Sequence, residues 1–181
     1  DLSNYSGLTL LLQNNKSDKE QPGSIISPSP RAEQTDKDKL INLKWQRKIE
    51  ASDLTLSIYN NQHDMIFDNP DSSYQPHNEI DSTKQGIKFN KTDYHQSHTL
   101  TYGLQVGQQK LAGSNFDQQD NLKKVVFIHD DWQITEPLKL RLGARYDDYE
   151  RYSSNFSPRI GAVYKINPKF NLNATVEEAY A

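Results

Sequence analysis

Few residues in this chain have the types and spacing that covalent chemistry needs. Glu177 and Glu178 offer two adjacent acids, but neighbouring strand residues point to opposite faces and cannot flank one bond. The histidines, His63, His77, His95, His98 and His129, show no metal-ligand spacing, and His95 and His98 straddle a predicted turn. The absence of cysteine removes disulfides, zinc–thiolate sites and thiol nucleophiles. No glycine-rich phosphate loop and no supported Ser/His/Asp order is present. The chain therefore reads as a non-enzyme without an obligatory cofactor. One acidic group stands out: Asp64, Asp68, Asp71 and Asp81 fall around a single predicted loop and carry the hard oxygen ligands that Ca²⁺ takes. They lack EF-hand spacing, and a simply solvated acidic loop accounts for the same residues.

Composition narrows the remaining functions. A net charge of −3 with both signs interspersed gives no nucleic-acid footprint. Mean hydropathy is −0.91, and no apolar run approaches the ~20 residues of a membrane helix. A membrane barrel is not excluded, because its strands are half polar and averages hide them.

The elements that must position any site are strands. In Leu138–Tyr146 the apolar Leu138, Leu140, Leu142, Ala144 and Tyr146 alternate with Lys139, Arg141, Gly143 and Arg145, followed by Asp147. Phe156, Ile160, Ala162 and Tyr164 repeat the pattern against Ser157, Arg159, Gly161 and Lys165. A cationic, glycine-containing polar face opposite an apolar face ending in tyrosines fits a strand pair between lipid and a polar lumen. Period-two patterning predicts nine strands near 4–13, 38–48, 53–63, 80–91, 97–108, 122–134, 138–149, 155–165 and 169–179, with very little helix. The connections alternate between long (14–37, 64–79, 109–121) and short, except for a short one at Glu150–Ser154. Such segregation is expected of a membrane barrel with short turns inside and long loops outside. Segment 14–37 has three prolines, Pro22, Pro28 and Pro30, so it cannot be one strand, and its apolar pair Ile25–Ile26 has no assigned partner.

On this reading Leu8, Leu10, Leu12, Leu43, Leu56, Leu104, Val126 and Ile128 face lipid, with Trp45 and Trp132 near the inner strand ends, where indole favours headgroups. The lumen face carries Lys44, Lys84, Lys88 and Gln105. It continues with Lys139, Arg141, Arg145, Asp147, Arg159, Asn171, Asn173 and Glu177. Strict alternation also turns Asp130 toward lipid, which predicts either a bulge there or a position near the interface.

The wording of the last third adds a resemblance. Asp130-Asp131-Trp132, then Gly143-Ala144-Arg145-Tyr146-Asp147, then Phe156-Ser157-Pro158-Arg159 resemble, in order and spacing, the barrel of TonB-dependent outer-membrane receptors. The segments Gln21-Pro22-Gly23-Ser24 and Ser27-Pro28-Ser29-Pro30-Arg31-Ala32 look like the start of the barrel in the cobalamin-receptor branch, whose vitamin B12 receptors use loop aspartates for calcium. The resemblance implies an all-β antiparallel fragment of a 22-stranded barrel in the outer membrane of a Gram-negative bacterium, in contact with lipid and lipopolysaccharide. It further implies an N-terminal plug, coupling to TonB, and a small metal chelate (cobalamin or a ferric siderophore) as cargo. Asp68, Asp71, Tyr74, Phe116 and Asp117 are then the expected ligand-contacting residues of the exterior loops. Residues 1–181 read as part of the barrel, with signal peptide, plug and C-terminal strands outside them. A passive porin or adhesin barrel, or a soluble β-sandwich binding module, are the rival readings.

Overall fold

The computed structural model describes residues 4–23, 26, 28–74 and 76–178. Nine strands follow one another: β1 (Tyr5–Glu20), β2 (Glu33–Ile49), β3 (Ser52–Asp68), β4 (His77–His95), β5 (His98–Gly113), β6 (Phe116–Thr135), β7 (Leu138–Tyr149), β8 (Asn155–Asn167) and β9 (Phe170–Glu177). They form one sheet in sequential order, each antiparallel to the next. At one end the connections shrink to residues 50–51, 96–97, 136–137 and 168–169. Glu50 and Gln96 take positive φ there (42° and 47°), as two-residue hairpin loops with right-handed strand twist favour.

The strand count and order agree with the alternation in the sequence, but the lengths do not. The segments expected as long loops are mostly strand. The connection expected at 109–121 is a hairpin tip of two residues, 114–115, while those expected at 14–37 and 64–79 contract to 21–32 and 69–76. The reason is physical. Beyond the apolar band both faces are polar, so the period-two signal disappears while backbone pairing continues, for example at Asp18↔Thr35 and Lys37↔Asp64. Loop length therefore separates the two ends less sharply than predicted. Ile25 lies outside the described residues, and Ile26 is 96% exposed.

Side chains sort cleanly onto two faces. One ladder row joins Leu8, Trp45, Leu56, Phe89, Leu104, Val126, Tyr146 and Phe156, apolar across all eight strands. The apolar residues are nonetheless exposed, Leu8 at 69% and Val176 at 78%. Ala32 and Val125 are the only buried hydrophobics among the described residues. A β-sandwich packs such a face against a second sheet, whereas the described residues form one sheet with its apolar face open.

The apolar band also runs obliquely. The row through Leu10 reaches Asp148 in β7, whereas Ile160, central in the apolar run of β8, pairs with Leu142. From β1 to β8 the band slips by about six residues, ~20 Å over ~34 Å of sheet, a tilt of roughly 30°. Strands in closed barrels tilt by a similar amount. The slope does not lift Asp130 out of the apolar band. No bulge occurs at that residue, since the nearest register shift lies between Gln133 and Thr135. It does lie on the apolar face, between Leu100 and Leu142. Its carboxylate is met locally instead, by His98 Nδ1 at 2.7 Å, and His98 stacks on Trp132.

Candidate transport lumen and exterior loops

The opposite face builds a charged wall from cross-strand pairs. Arg145 donates through Nε (2.6 Å) and Nη2 (2.9 Å) to the Asp147 carboxylate. Lys123 from β6 lies 3.2 Å from the same group, donates to Tyr149 Oη at 2.7 Å and sits over the Tyr149 ring. Asp147 is only 6% exposed, and the two cations that enclose its carboxylate offset the cost of burying it. Asp131 gathers His129 (3.0 Å), Arg141 (3.6 Å) and Lys139 (4.0 Å), and Arg159 meets Glu177 at 3.4 Å. The predicted lumen residues Lys139, Arg141, Arg145, Asp147, Arg159 and Glu177 therefore share one face, as their parity required.

Between these groups lies a concavity of about 1220 Å³, walled by Lys123, Arg145, Asp147, Tyr149, Tyr152 and Arg159 among others. Its lining sets Lys123, Arg145 and Arg159 against Asp147, Glu177 and Glu178 beside the phenol rings of Tyr149 and Tyr152, a mixed polar surface that suits an oxygen-rich guest. Lys123 and Tyr149 escaped the sequence reading, although alternation from Val126 already placed Lys123 on this face. Tyr59 also went unnoticed. Its phenol rests on bare backbone, since a Cβ at Gly86 or Gly107 would lie 2.8 Å from Tyr59 Oη.

The exterior candidates are scattered. Asp71 accepts from the Arg31 backbone N–H (3.0 Å) and from Arg31 Nε (2.7 Å), and Asn69 donates to Ser29 Oγ at 3.1 Å. Those bonds tie connection 69–76 to connection 21–32. The Arg31 side chain and backbone hold the Asp71 carboxyl below its ordinary value. Asp68 is taken by His77 at 2.6 Å, while Asp64 and Asp81 face each other across β3–β4. The four aspartates thus divide among different partners, and no cluster of three or more potential metal ligands occurs among the described residues. Tyr74 is 87% exposed in connection 69–76. Phe116 and Asp117, expected in a loop, instead open β6. The Phe116 ring covers Gly113, where a Cβ would come within 2.5 Å of it. Packing across the hairpin tip thus occupies a ring expected to be free for ligand.

Comparison with known proteins decides the family. The model described as "TonB dependent receptor-like, beta-barrel" matches residues 2–181. The chain belongs to the TonB-dependent receptor barrels. An iron-regulated outer membrane virulence protein of Vibrio cholerae serotype O1 is 27% identical over 89 residues, covering 46% of this chain and 14% of that protein. The same figures hold for that protein in a second Vibrio cholerae O1 strain. A probable TonB-dependent siderophore receptor PirA of Acinetobacter baumannii is 30% identical over 78 residues, 43% of this chain and 10% of the relative. The chain thus spans a small fraction of the length of these curated relatives. As a TonB-dependent receptor barrel it lies in the outer membrane, its apolar band in lipid and its charged wall toward the lumen. The two-residue turns then face the periplasm and connections 21–32 and 69–76 the exterior.

Proposed function

We propose that this chain forms part of an active-transport receptor that imports a ferric siderophore across the outer membrane. The observation that carries the reading is the family match over residues 2–181, joined to relatives named for iron regulation and siderophore reception. The polar face is compatible with it: Lys123, Arg145 and Arg159, offset by Asp147, Glu177 and Glu178, line with Tyr149 and Tyr152 a concavity of about 1220 Å³, large enough for a metal chelate. An iron chelate rather than cobalamin is the proposed cargo, because both relatives point to iron.

The mechanism proposed is capture by the exterior loops and a plug inside the barrel, followed by plug displacement driven through TonB. Bonds are neither made nor broken in the cargo. The Arg31–Asp71 tie holds two exterior connections in one arrangement, which lowers the ordering cost of capture. Tyr74, in the tied connection, presents its ring outward for such a contact.

The test is uptake of radiolabelled iron by cells carrying or lacking the full-length gene, each with and without TonB. Accumulation that needs both supports the receptor. Uptake that survives loss of TonB would instead make the barrel a passive channel, and labelled cobalamin in place of iron would redirect the cargo.

A further inference from the structure

The concavity walled by β6–β9 and connection 150–154 sets three cations, Lys123, Arg145 and Arg159, against three carboxylates, Asp147, Glu177 and Glu178. Each cation is already committed to an acid of the same wall. Arg145 grips Asp147 through Nε and Nη2, Lys123 stands 3.2 Å from that carboxylate, and Arg159 Nε lies 3.4 Å from Glu177. His129, also in the lining, is engaged with Asp131. The lumen lysines Lys44, Lys84 and Lys88 stand on β2 and β4 and line no part of this space. Its charges therefore cancel.

Cancelled charge leaves donors to spare. Arg145 gives Asp147 only its Nε–H and an Nη2 hydrogen, and a guanidinium fork holds further N–H groups. The Arg159 side chain is half exposed. Tyr152 is 67% exposed, its ring held edge-on against Tyr149. Phe127 and Pro158 add apolar lining. A polyanionic guest meets a worse balance. It would lie against Glu177 and Glu178, and like charges brought together oppose binding. Drawing Arg145 or Lys123 onto itself would also strip Asp147, which is too deeply buried to be left unpaired without cost.

We infer that the cargo met by this wall is a ferric chelate without net charge, held through carbonyl oxygens of the hydroxamate kind, and that polyanionic chelates are disfavoured. This rests on the transport reading above and names its class of cargo. Three singly charged hydroxamate arms cancel the charge of Fe³⁺, whereas three doubly charged catecholates leave a polyanion. The neutral complex offers acceptors to the spare N–H groups of Arg145 and Arg159 and to the Tyr152 hydroxyl. It does so without displacing Asp147 or Glu177 from their partners.

The experiment measures binding of two probes to the purified full-length receptor, at low and at physiological salt. One is ferrichrome, a neutral ferric trihydroxamate; the other is ferric enterobactin, a polyanionic tris-catecholate. Ferrichrome is expected to bind roughly tenfold more tightly, with an affinity that salt leaves unchanged. Glu177→Gln and Glu178→Gln together leave the wall's cations in excess, and are expected to narrow that preference by about tenfold through a salt-sensitive gain in enterobactin affinity. Heat-modifiable migration confirms that the variant barrel is folded. Equal affinities, or tighter and salt-sensitive binding of enterobactin by the unmodified receptor, would overturn the proposal and leave the transport reading standing. A folded variant that gains no enterobactin affinity would overturn the role given to this wall. A receptor that binds neither ferric chelate would overturn the transport reading itself, and the proposal with it.

Discussion

Replacing Leu56 by Arg examines the two-faced sheet at its most demanding point. Leu56 is the middle of the apolar run Leu54, Leu56, Ile58 on β3, and its ladder neighbours are Trp45 and Phe89. It therefore marks the centre of the bilayer on that strand. An arginine at the lipid-facing midplane of an outer-membrane barrel costs about 2–4 kcal/mol, a fall in the folded-to-unfolded ratio of roughly 30- to 800-fold. Thr55, one residue away, points into the lumen between Gln46 and Asn90. Arginine at position 55 meets water and amides, and should change stability by no more than about 0.5 kcal/mol. Gln62, on the lipid side but well above the band, should fall between the two, at about 0–1 kcal/mol. The assay is reversible denaturant unfolding of the full-length barrel in lipid vesicles, followed by tryptophan emission and heat-modifiable migration. Equal costs at 55 and 56, or a larger cost at 55, would refute the assignment of faces.

Three further outcomes follow from particular contacts. Gly107→Ala should destabilise by roughly 1–3 kcal/mol, because its Cβ would sit 2.8 Å from Tyr59 Oη. A double-mutant cycle with Tyr59→Phe should recover part of that loss, and strict additivity would contradict the contact. Asp147→Asn leaves Arg145 and Lys123 without their shared carboxylate and should cost roughly 1–3 kcal/mol by denaturant titration. At the exterior, the Arg31 partner depresses Asp71 below its ordinary 3.8. The tie is therefore complete above that value and lost as pH falls through the depressed one. Protection factors for hydrogen exchange in 28–32, corrected for the intrinsic rate at each pH, should be high at neutral pH and fall once acid protonates Asp71, and Asp71→Asn should lower them at neutral pH as well.

The alternation in the sequence carried the fold where one face is apolar. Leu138–Tyr146 or Leu100–Val106 can sit in only one way when one side is lipid, so register and face were both legible. Above the band that constraint lapses. Lys16, Asp18, Thr35 and Lys37 pair strand to strand with polar groups on both sides, so nothing in their order marks a strand. The same blindness put Phe116 and Asp117 in a loop. Site chemistry was legible by parity alone: the lumen cations could be assigned a face, but not partners. The convergence of Lys123 and Arg145 on Asp147 depends on pairing between β6 and β7. The Arg31–Asp71 bond joins residues forty positions apart in connections with no periodic pattern.

The central claim is that one face of this sheet meets lipid and the other a lumen, and it can be read residue by residue. The described chain has no cysteine, so single cysteines along Leu122–Ile134 can carry a nitroxide in the full-length protein reconstituted in bilayers. The account predicts a period of two: high accessibility to oxygen from lipid at 126, 128 and 132, low at 123, 125, 127 and 131, with muted values at 124, above the band, and at 130. A uniform profile, or one in which the odd positions are the lipid-accessible ones, would contradict it.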